Sequence, residues 1–542
     1  MQNVWTDLKE NIANKIGAPL YKIEEPEKEG MGDFAFACFD LAKQEKRNPV
    51  EIALELSKET SVDGIKEVKA IGPYVNFYVD WSALAKDVLS KPSKVKANKF
   101  ALIEHTSINP NASPHVGRAR NAIIGDTLTR ILKAQGYKVD VHYFVNDVGK
   151  QIALLVWAAG KKKLKFSELL NAYIEANKKM EGDKKVEQEV FGLLKKFEDG
   201  NKATMKNFRK IVSTCVEGQR KILQQLNIEY DNFDYESNYI IGKKTKDFLN
   251  RLEKKDIIFT DEEGRKVMKY GDTHIVLARS DGTSLYPLRD IAYSADEAKW
   301  AKSGLNVLVL GEDQKLYFEQ LGHALKGLEI EPAKAVHYSF VLLPGGAKMS
   351  TRKGEVVLLE DFIKEAEENA LKEVKQRYPK LSAAKQKQRA HSIAVAAVRY
   401  ELVKSSPDKN IIFDISQAVR FEGDTGPYLQ YTYARANSIL RKAKAGKFDS
   451  AALKDPREFA VLKLIAKFPS ILEKSAADLR PHLVANYTHS LADAFNEFYQ
   501  NVRVLQAESP KEKAARLALV KASEMVLALC LSVLGIEAPK QM

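Results

Sequence analysis

The stretch from Ala101 to Asp126, reading ALIEHTSINPNASPHVGRARNAIIGD, constrains the fold of this chain more than any other. Phe100 to Ile103 read as a short buried strand, and Thr106 to Pro114 supply turn residues. From His115 the apolar residues Val116, Ala119, Ile123, Ile124, Leu128, Ile131 and Leu132 recur at helical spacing until Gly136 stops the pattern, and a second strand, Tyr137 to Phe144, follows at once. Strand, helix and strand in that order open a doubly wound parallel sheet, in which ligands bind beyond the carboxyl ends of the strands. Free backbone N–H groups and the positive end of the dipole make the helix start a phosphate site. There His115 can donate to a phosphate oxygen, and Gly117 allows a flat nucleotide close to the backbone. Taken alone, the string His-Val-Gly-Arg is equally an ordinary helix cap.

A second string lies far downstream. After the strand-like run Tyr338 to Leu343 comes Lys348-Met349-Ser350-Thr351-Arg352-Lys353-Gly354, three cations and two hydroxyls on one glycine-flanked loop. Such a loop can clamp a triphosphate and close as charge develops; by itself it is also a solvated basic turn. The two strings together resemble the HIGH and KMSKS signatures of class I aminoacyl-tRNA synthetases. The surrounding residues narrow the resemblance to the arginyl-tRNA synthetase family along nearly the whole chain.

A length of 542 residues exceeds one core and suggests about three domains. The expected architecture is an α/β catalytic domain built on a Rossmann-like doubly wound parallel sheet, a small α+β N-terminal domain, and an all-α C-terminal bundle. Residues 1–92 hold a helix from Val4 to Ile16, a strand-like Tyr21 to Glu25, helices from Ala35 to Lys46 and Pro49 to Lys58, and a strand Pro73 to Val79. Gly32-Asp33-Phe34 and the Gly72-Pro73 strand resemble the family's tRNA-elbow appendage, with Asn76 and Tyr78 as candidate contacts. The catalytic domain is placed at 97–360, with a helical insertion at about 148–257 that carries runs such as Lys161-Lys162-Lys163. Its second half brings Leu285 to Ile291 leading into a helix, and an apolar strand, Asn306 to Leu310, closed by Gly311-Glu312-Asp313-Gln314. Residues 361–542 read as helical, and Gly426-Pro427 with the aromatics after it matches the opening of the family's anticodon-binding bundle. Tyr428, Tyr431 and Tyr499 are its candidate stacking platforms.

With 45% hydrophobic and 29% charged residues the chain has the composition of a soluble globular protein. Its net charge of +13 suits a polyanion such as RNA without demonstrating one. Cys38, Cys215 and Cys530 are too scattered for a metal site and fit a reducing compartment, so the cytoplasm is the expected location. No apolar run approaches the roughly 18 residues of a membrane span, and no membrane partner is expected. A monomer is expected.

The resemblance implies an arginine–tRNA ligase that uses ATP, L-arginine and the tRNA for arginine, forming arginyl-adenylate before transfer to the terminal ribose. Mg²⁺ would arrive with ATP, since no carboxylate cage for a metal is visible. His115 and Gly117 match HIGH, whose second histidine is here Arg118; Lys348 and Ser350 match the mobile loop, where Thr351 replaces the second lysine and Arg352 follows one place later. Ala112 occupies the region where some members carry a compensating lysine, so the chain reads as the type that keeps the loop lysine. An arginine pocket needs carboxylates for a forked cation that never deprotonates. Glu104 and Asp290 match that role, Tyr286 completes the guanidinium side, and Asn109 and Gln314 take the α-amino end with Ser107 nearby. The competing reading pairs each acid with an internal cation such as Arg279 or Arg289. At the level of function, the alternatives are a tRNA-binding paralogue without catalysis and a different nucleotidylyltransferase with a His-X-Gly-His site.

Overall fold

A computed structural model describes residues 3–26, 28, 30–89, 99–160, 162–240, 244–342, 357–444 and 446–542. The first helix, Val4–Ile16, starts at Asn3, whose side chain accepts from the Thr6 N–H, and ends on Gly17 in the left-handed region. Its Trp5 ring lies 4.3 Å from that of Phe34 in an antiparallel sheet of order β1-β2-β4-β3. The strands are β1 (Ile23–Glu24), β2 (Phe34–Ala37), β3 (Ile65–Ile71) and β4 (Tyr74–Val79). Two readings change here. Ala35 to Ala37 belong to β2, paired with β1 and β4, and the helix starts only at Phe39; interior pairing overrides the helix propensity of alanine. Gly72 and Pro73 form the turn between β3 and β4, with Gly72 at φ 59°, rather than part of a strand.

The central sheet is wholly parallel. Its strands are β5 (Phe100–Glu104), β6 (Lys138–Val145) and β7 (Asn232–Tyr235), followed, after a small antiparallel sheet of β8 (Ile258–Thr260), β9 (Lys266–Tyr270) and β10 (Thr273–Ala278), by β11 (Leu305–Gly311) and β12 (Lys334–Tyr338). The order β12-β11-β5-β6-β7 makes the chain run outward from β5 on one side and return on the other. The switch point therefore lies between the carboxyl ends of β5 and β11, where Leu308 pairs with Glu104. Ala101, Leu102 and Ile103 are completely buried, as expected of a parallel strand covered on both faces.

The segment expected as a helical insertion holds the helices Lys150–Ala159, Phe166–Gly182, Lys184–Glu198 and Lys202–Gln225, then returns β7 to the edge of the same sheet. The run Tyr338 to Leu343 is not one strand. β12 stops at Tyr338, and Val341–Leu342 pairs instead with Ile411–Ile412. The break is held at Ser339, whose N–H donates to Pro407 O at 2.8 Å and whose hydroxyl donates to Glu312 Oε2 at 2.5 Å. Leu343 lies outside the described residues.

From Leu359 the chain is helical apart from Ile411–Ile412 and short turns. Ion pairs and a buried guanidinium are among the contacts that tie this bundle to the rest. Lys463 pairs with Asp33 at 2.7 Å and Lys467 with Glu25 at 2.6 Å, docking the N-terminal unit on the helix Pro456–Ala477. Arg399, fully buried, donates to Leu534 O and Leu226 O, each at 2.6 Å, and to Asp126 at 2.5 Å, so one guanidinium joins the bundle to the helix Val116–Ala134. No helix among the described residues is long and apolar enough to cross a membrane.

Candidate active site

Beyond β5 the backbone turns through Thr106 and Ser107 at φ 80° and 41°, a conformation uncommon for residues other than glycine. Buried side chains from several elements hold it. The Thr106 N–H donates to Asn121 Oδ1 at 2.5 Å, the Tyr143 hydroxyl lies 3.1 Å from Ile108 O, and Gln219 Nε2 donates to Asn109 O at 3.1 Å and Ala112 O at 2.9 Å. This scaffold delivers His115 to the N-cap of the helix Val116–Ala134, where its side chain makes no capping bond. His115 Nδ1 is buried without a partner, and burial, then the charge of Arg118, pushes the imidazole pKa down to about 4. A neutral ring with an unused nitrogen at a helix N-terminus is arranged to meet a polar ligand. Gly117 makes room for it: a Cβ there would lie 3.0 Å from His115 Cε1 and Nδ1.

The described residues on either side of the basic string meet near this helix start. Lys348, Ser350 and Arg352 lie outside the described residues, but both flanks are defined. Leu342 pairs with Ile412 on one side. On the other, the Val116 N–H donates to Val357 O at 3.2 Å and the Leu359 N–H to Pro114 O at 2.8 Å. Arg120, one helical turn past Val116 and fully buried, fixes the near flank by donating to Ser339 O and Lys409 O, both at 2.7 Å.

The acids lie at the carboxyl ends of the strands. Glu104 is buried at the end of β5 and accepts from Ser107 Oγ at 2.6 Å. The helix Tyr286–Trp300 offers Tyr286, Asp290, Tyr293 and Glu297 on one face, since steps of three and four residues keep a helical side. Asp290 is half-buried and accepts from the Tyr317 hydroxyl at 2.5 Å. Burial pushes both carboxyls up to about 7; for Asp290 the charges of Glu236 and Glu104 add to it while the Tyr317 bond opposes. The competing pairing with internal cations does not form. Arg289 pairs with Glu236 at 2.9 Å and Glu198 at 3.8 Å, and Arg279 with Glu198 at 3.9 Å. Among the described residues neither Glu104 nor Asp290 has a cation within the 4.0 Å of an ion pair. Two acids within electrostatic reach of each other thus stand without a directly paired cation, Arg289 acting on Asp290 only at longer range, which suits a cationic ligand.

The remaining candidates divide. Tyr286 is exposed, its ring 5.5 Å from that of Tyr317. Gln314 ends the short turn Glu312–Gln314 that follows β11, and Asn109 Nδ2 donates to Gln151 Oε1 at 3.3 Å. Residues that the sequence reading passed over are Glu236, Glu297, Tyr317 and Gln151. Glu297 lies seven residues after Asp290 on the same helical face. Asn76 must be withdrawn as a surface contact: it is completely buried in β4, between β2 and β3, and its Nδ2 donates to Tyr74 O at 3.3 Å. Tyr78 is half-buried and donates to Gly30 O at 2.6 Å. On the bundle, Tyr428 donates to Asp493 at 2.7 Å, while the Arg435 guanidinium sits 4.8 Å from the Tyr431 ring and 4.6 Å from that of Tyr499.

Comparison with known proteins agrees with this anatomy. The family model for the class I tRNA synthetase (R) catalytic domain matches residues 81–415, flanked by the arginyl tRNA synthetase N terminal domain at 3–79 and the DALR anticodon binding domain at 429–542. Catalytic sheet and bundle are thus those of a class I aminoacyl-tRNA synthetase. The arginine–tRNA ligase of Methanocella arvoryzae is 40% identical over 526 residues, covering 93% of this chain and 92% of its own. That of Methanocaldococcus jannaschii is 36% identical and covers 100% of this chain and 99% of its own. The solved arginyl-tRNA synthetase of Thermus thermophilus superposes with a TM-score of 0.85 at 28% identity, covering 100% of both chains. The chain belongs to the arginyl-tRNA synthetase family.

Proposed function

We infer that the chain ligates L-arginine to its tRNA at the expense of ATP. The observation that carries this reading is the pair of acids, Glu104 and Asp290, without a cation of their own beside the helix start at His115. The arginine carboxylate attacks the α-phosphorus of ATP, the bond to pyrophosphate breaks, and arginyl-adenylate results; the 2′-hydroxyl of the terminal ribose then displaces AMP. No side-chain nucleophile is needed, so the protein contributes placement and charge. His115 and Gly117 with the first N–H groups of the helix receive the ATP phosphates, with Arg118 in the place of the second histidine. Lys348, Ser350 and Arg352 are assigned to the same phosphates, and the bond that Val357, the first described residue after them, accepts from the Val116 N–H favours this assignment. ATP enters with Mg²⁺ on its phosphates.

Glu104, Asp290 and Tyr286 take the guanidinium, and Asn109, Gln314 and Ser107 the α-amino end. Lysine is rejected because an ammonium cannot satisfy a fork of acceptors and leaves some of them short of donors. Residues 1–92 hold the tRNA elbow, with Tyr78 as the remaining candidate, 97–360 carry the chemistry and 361–542 grip the anticodon through Tyr428, Tyr431 and Tyr499. Arg435, already stacked on two of these rings, favours this surface. Three buried free cysteines accord with a cytoplasmic protein, and a monomer contains every residue the reading requires. A tRNA-binding paralogue without catalysis would have no use for unpaired acids in the switch-point crevice, and a short nucleotidylyltransferase would lack the bundle. Aminoacylation of unfractionated tRNA with each amino acid in turn tests the reading: arginine alone is expected to be attached, and attachment of another amino acid, or of none, refutes it.

A further inference from the structure

Glu297 lies near the end of the helix that carries Asp290, is 1% exposed, and faces the carboxyl of Glu104 within hydrogen-bond reach. Its Oε1 has no partner among the described residues. The groups around the pair are acidic or already engaged. Asp234, at the edge strand β7, accepts from His142 Nδ1 at 2.6 Å and from the Tyr293 hydroxyl at 3.1 Å; Asp290 accepts from Tyr317; Arg289 is taken by Glu236. Two carboxyls at hydrogen-bond distance in a dry site cannot both ionise, because repulsion adds to the cost of desolvation. One proton must stay between them. Glu104 already accepts a hydrogen bond from Ser107, which favours its ionised form, while Glu297 receives none, so the proton belongs on Glu297.

We propose that Glu297 is a positioning residue for arginine recognition: a neutral carboxylic acid that donates to Glu104 and, together with Ser107, holds that carboxylate in one orientation toward the guanidinium. The inference rests on the assignment of Glu104 to the arginine pocket. It also accounts for the charge of the site. With Glu297 neutral, one guanidinium faces the two anions Glu104 and Asp290, and a third buried anion would have no counter-charge.

The test uses the full chain and two variants, Glu297→Gln, which keeps a donor without an ionisable proton, and Glu297→Leu, which keeps volume and removes the donor. Arginine and ATP dependence of aminoacylation and a thermal melt are read for each. Glu297→Gln is expected to hold the KM for arginine within roughly threefold of the parent, and Glu297→Leu to raise it about tenfold or more with the KM for ATP unmoved, as when a hydrogen bond to a charged group is lost. A glutamine variant as impaired as the leucine variant would show that Glu297 works as an anion and overturn the proposal; a harmless leucine variant would overturn it as well. Should Glu297→Leu fail to fold, infrared difference spectroscopy decides with Glu297→Gln: a protonated-carboxyl carbonyl band present in the parent and lost in the variant supports the proposal, and its absence from the parent refutes it. If Glu104→Gln leaves the KM for arginine unchanged, the pocket assignment itself fails, a result separate from any of these.

Discussion

Replacing Asp290 by asparagine should make the protein more stable and less able to use arginine. The carboxyl of Asp290 is held at about 7 against an ordinary value of 3.8, with burial as the main cause. Since the folded value is raised, the folded chain binds this proton more tightly than the unfolded chain. The carboxyl therefore costs stability at every pH above its unfolded pKa, and the cost is complete once the pH has passed the folded value of about 7. A shift of about three units corresponds to about 4 kcal/mol, a ceiling because Asp290 is open to solvent at one edge. Asparagine removes the charge and keeps an oxygen for the Tyr317 hydroxyl, which now lies 2.5 Å from Asp290 Oδ2. At pH 8 the variant should melt several degrees higher, and the gain should shrink as the pH falls through 7 toward 4.

The same substitution should lower kcat/KM for arginine by the equivalent of roughly 2–5 kcal/mol, the range for removing one partner of a buried charge pair. Arginine should raise the melting temperature of the parent and fail to raise that of the variant at the same concentration. The pH profile provides an independent check. Burial raises both the Glu104 and the Asp290 carboxyl, so kcat/KM for arginine should fall from its alkaline plateau as the pH drops through 7, with two ionisations contributing to the fall. In Asp290→Asn one ionisation remains, and the fall should be shallower. Melting curves across pH and initial rates of aminoacylation measure all of this. A variant no more stable than the parent, or one that arginine still stabilises equally, would refute the argument that an uncompensated acid waits there for a cation.

Further outcomes are expected elsewhere. Lys348→Ala, in the stretch outside the described residues, should lower kcat by roughly two to three orders of magnitude with little change in the KM for ATP, as for other oriented electrostatic groups; single-turnover kinetics separate the two effects. Tyr499→Ala, at an exposed ring that stacks on Arg435, should raise the KM for tRNA by the equivalent of roughly 1–3 kcal/mol and leave the melt unchanged, whereas a lowered melt for Tyr431→Ala would assign that ring to its contact with Phe421. Arg399→Met leaves the buried Asp126 carboxylate with only Arg130 and should cost roughly 3–5 kcal/mol, read as a drop in the denaturant midpoint.

How much of this was legible in the sequence depends on what each residue packs against. The strands β5 and β11 could be read because both faces of a parallel sheet are covered, so each is a nearly continuous apolar run, whereas β6 showed itself by its β-branched and aromatic residues, Val139, Val141, Tyr143 and Phe144. β7 carries only Asn-Phe-Asp-Tyr at the sheet edge, too short and too polar to stand out from the helices around it, although its Asp234 anchors His142. The apolar run at Tyr338 hid a change of partner that turns on the single polar residue Ser339 and its bonds to Pro407 and Glu312, which no periodicity encodes. Asn76 was misread for a related reason: alternation along a strand separates two faces without saying which of them meets solvent.

The site shows the same limit with opposite sign. Glu104 and Asp290 were singled out because they match the family's guanidinium contacts; one ends a buried strand and the other follows Tyr286 by one helical turn. Glu297 was not, because an acid late in an amphipathic helix reads as solvated surface. Its burial becomes intelligible only when the charges of the neighbourhood are counted: Glu104, Asp234, Glu236, Asp290 and Glu297 converge, and Arg289 and His142 engage only Glu236 and Asp234 among them. Such an excess of acid is costly to fold unless protons or a ligand compensate it. In this chain one proton between Glu297 and Glu104 and one arginine cation would together meet that requirement, so the residues that make the empty pocket expensive are those that make it selective.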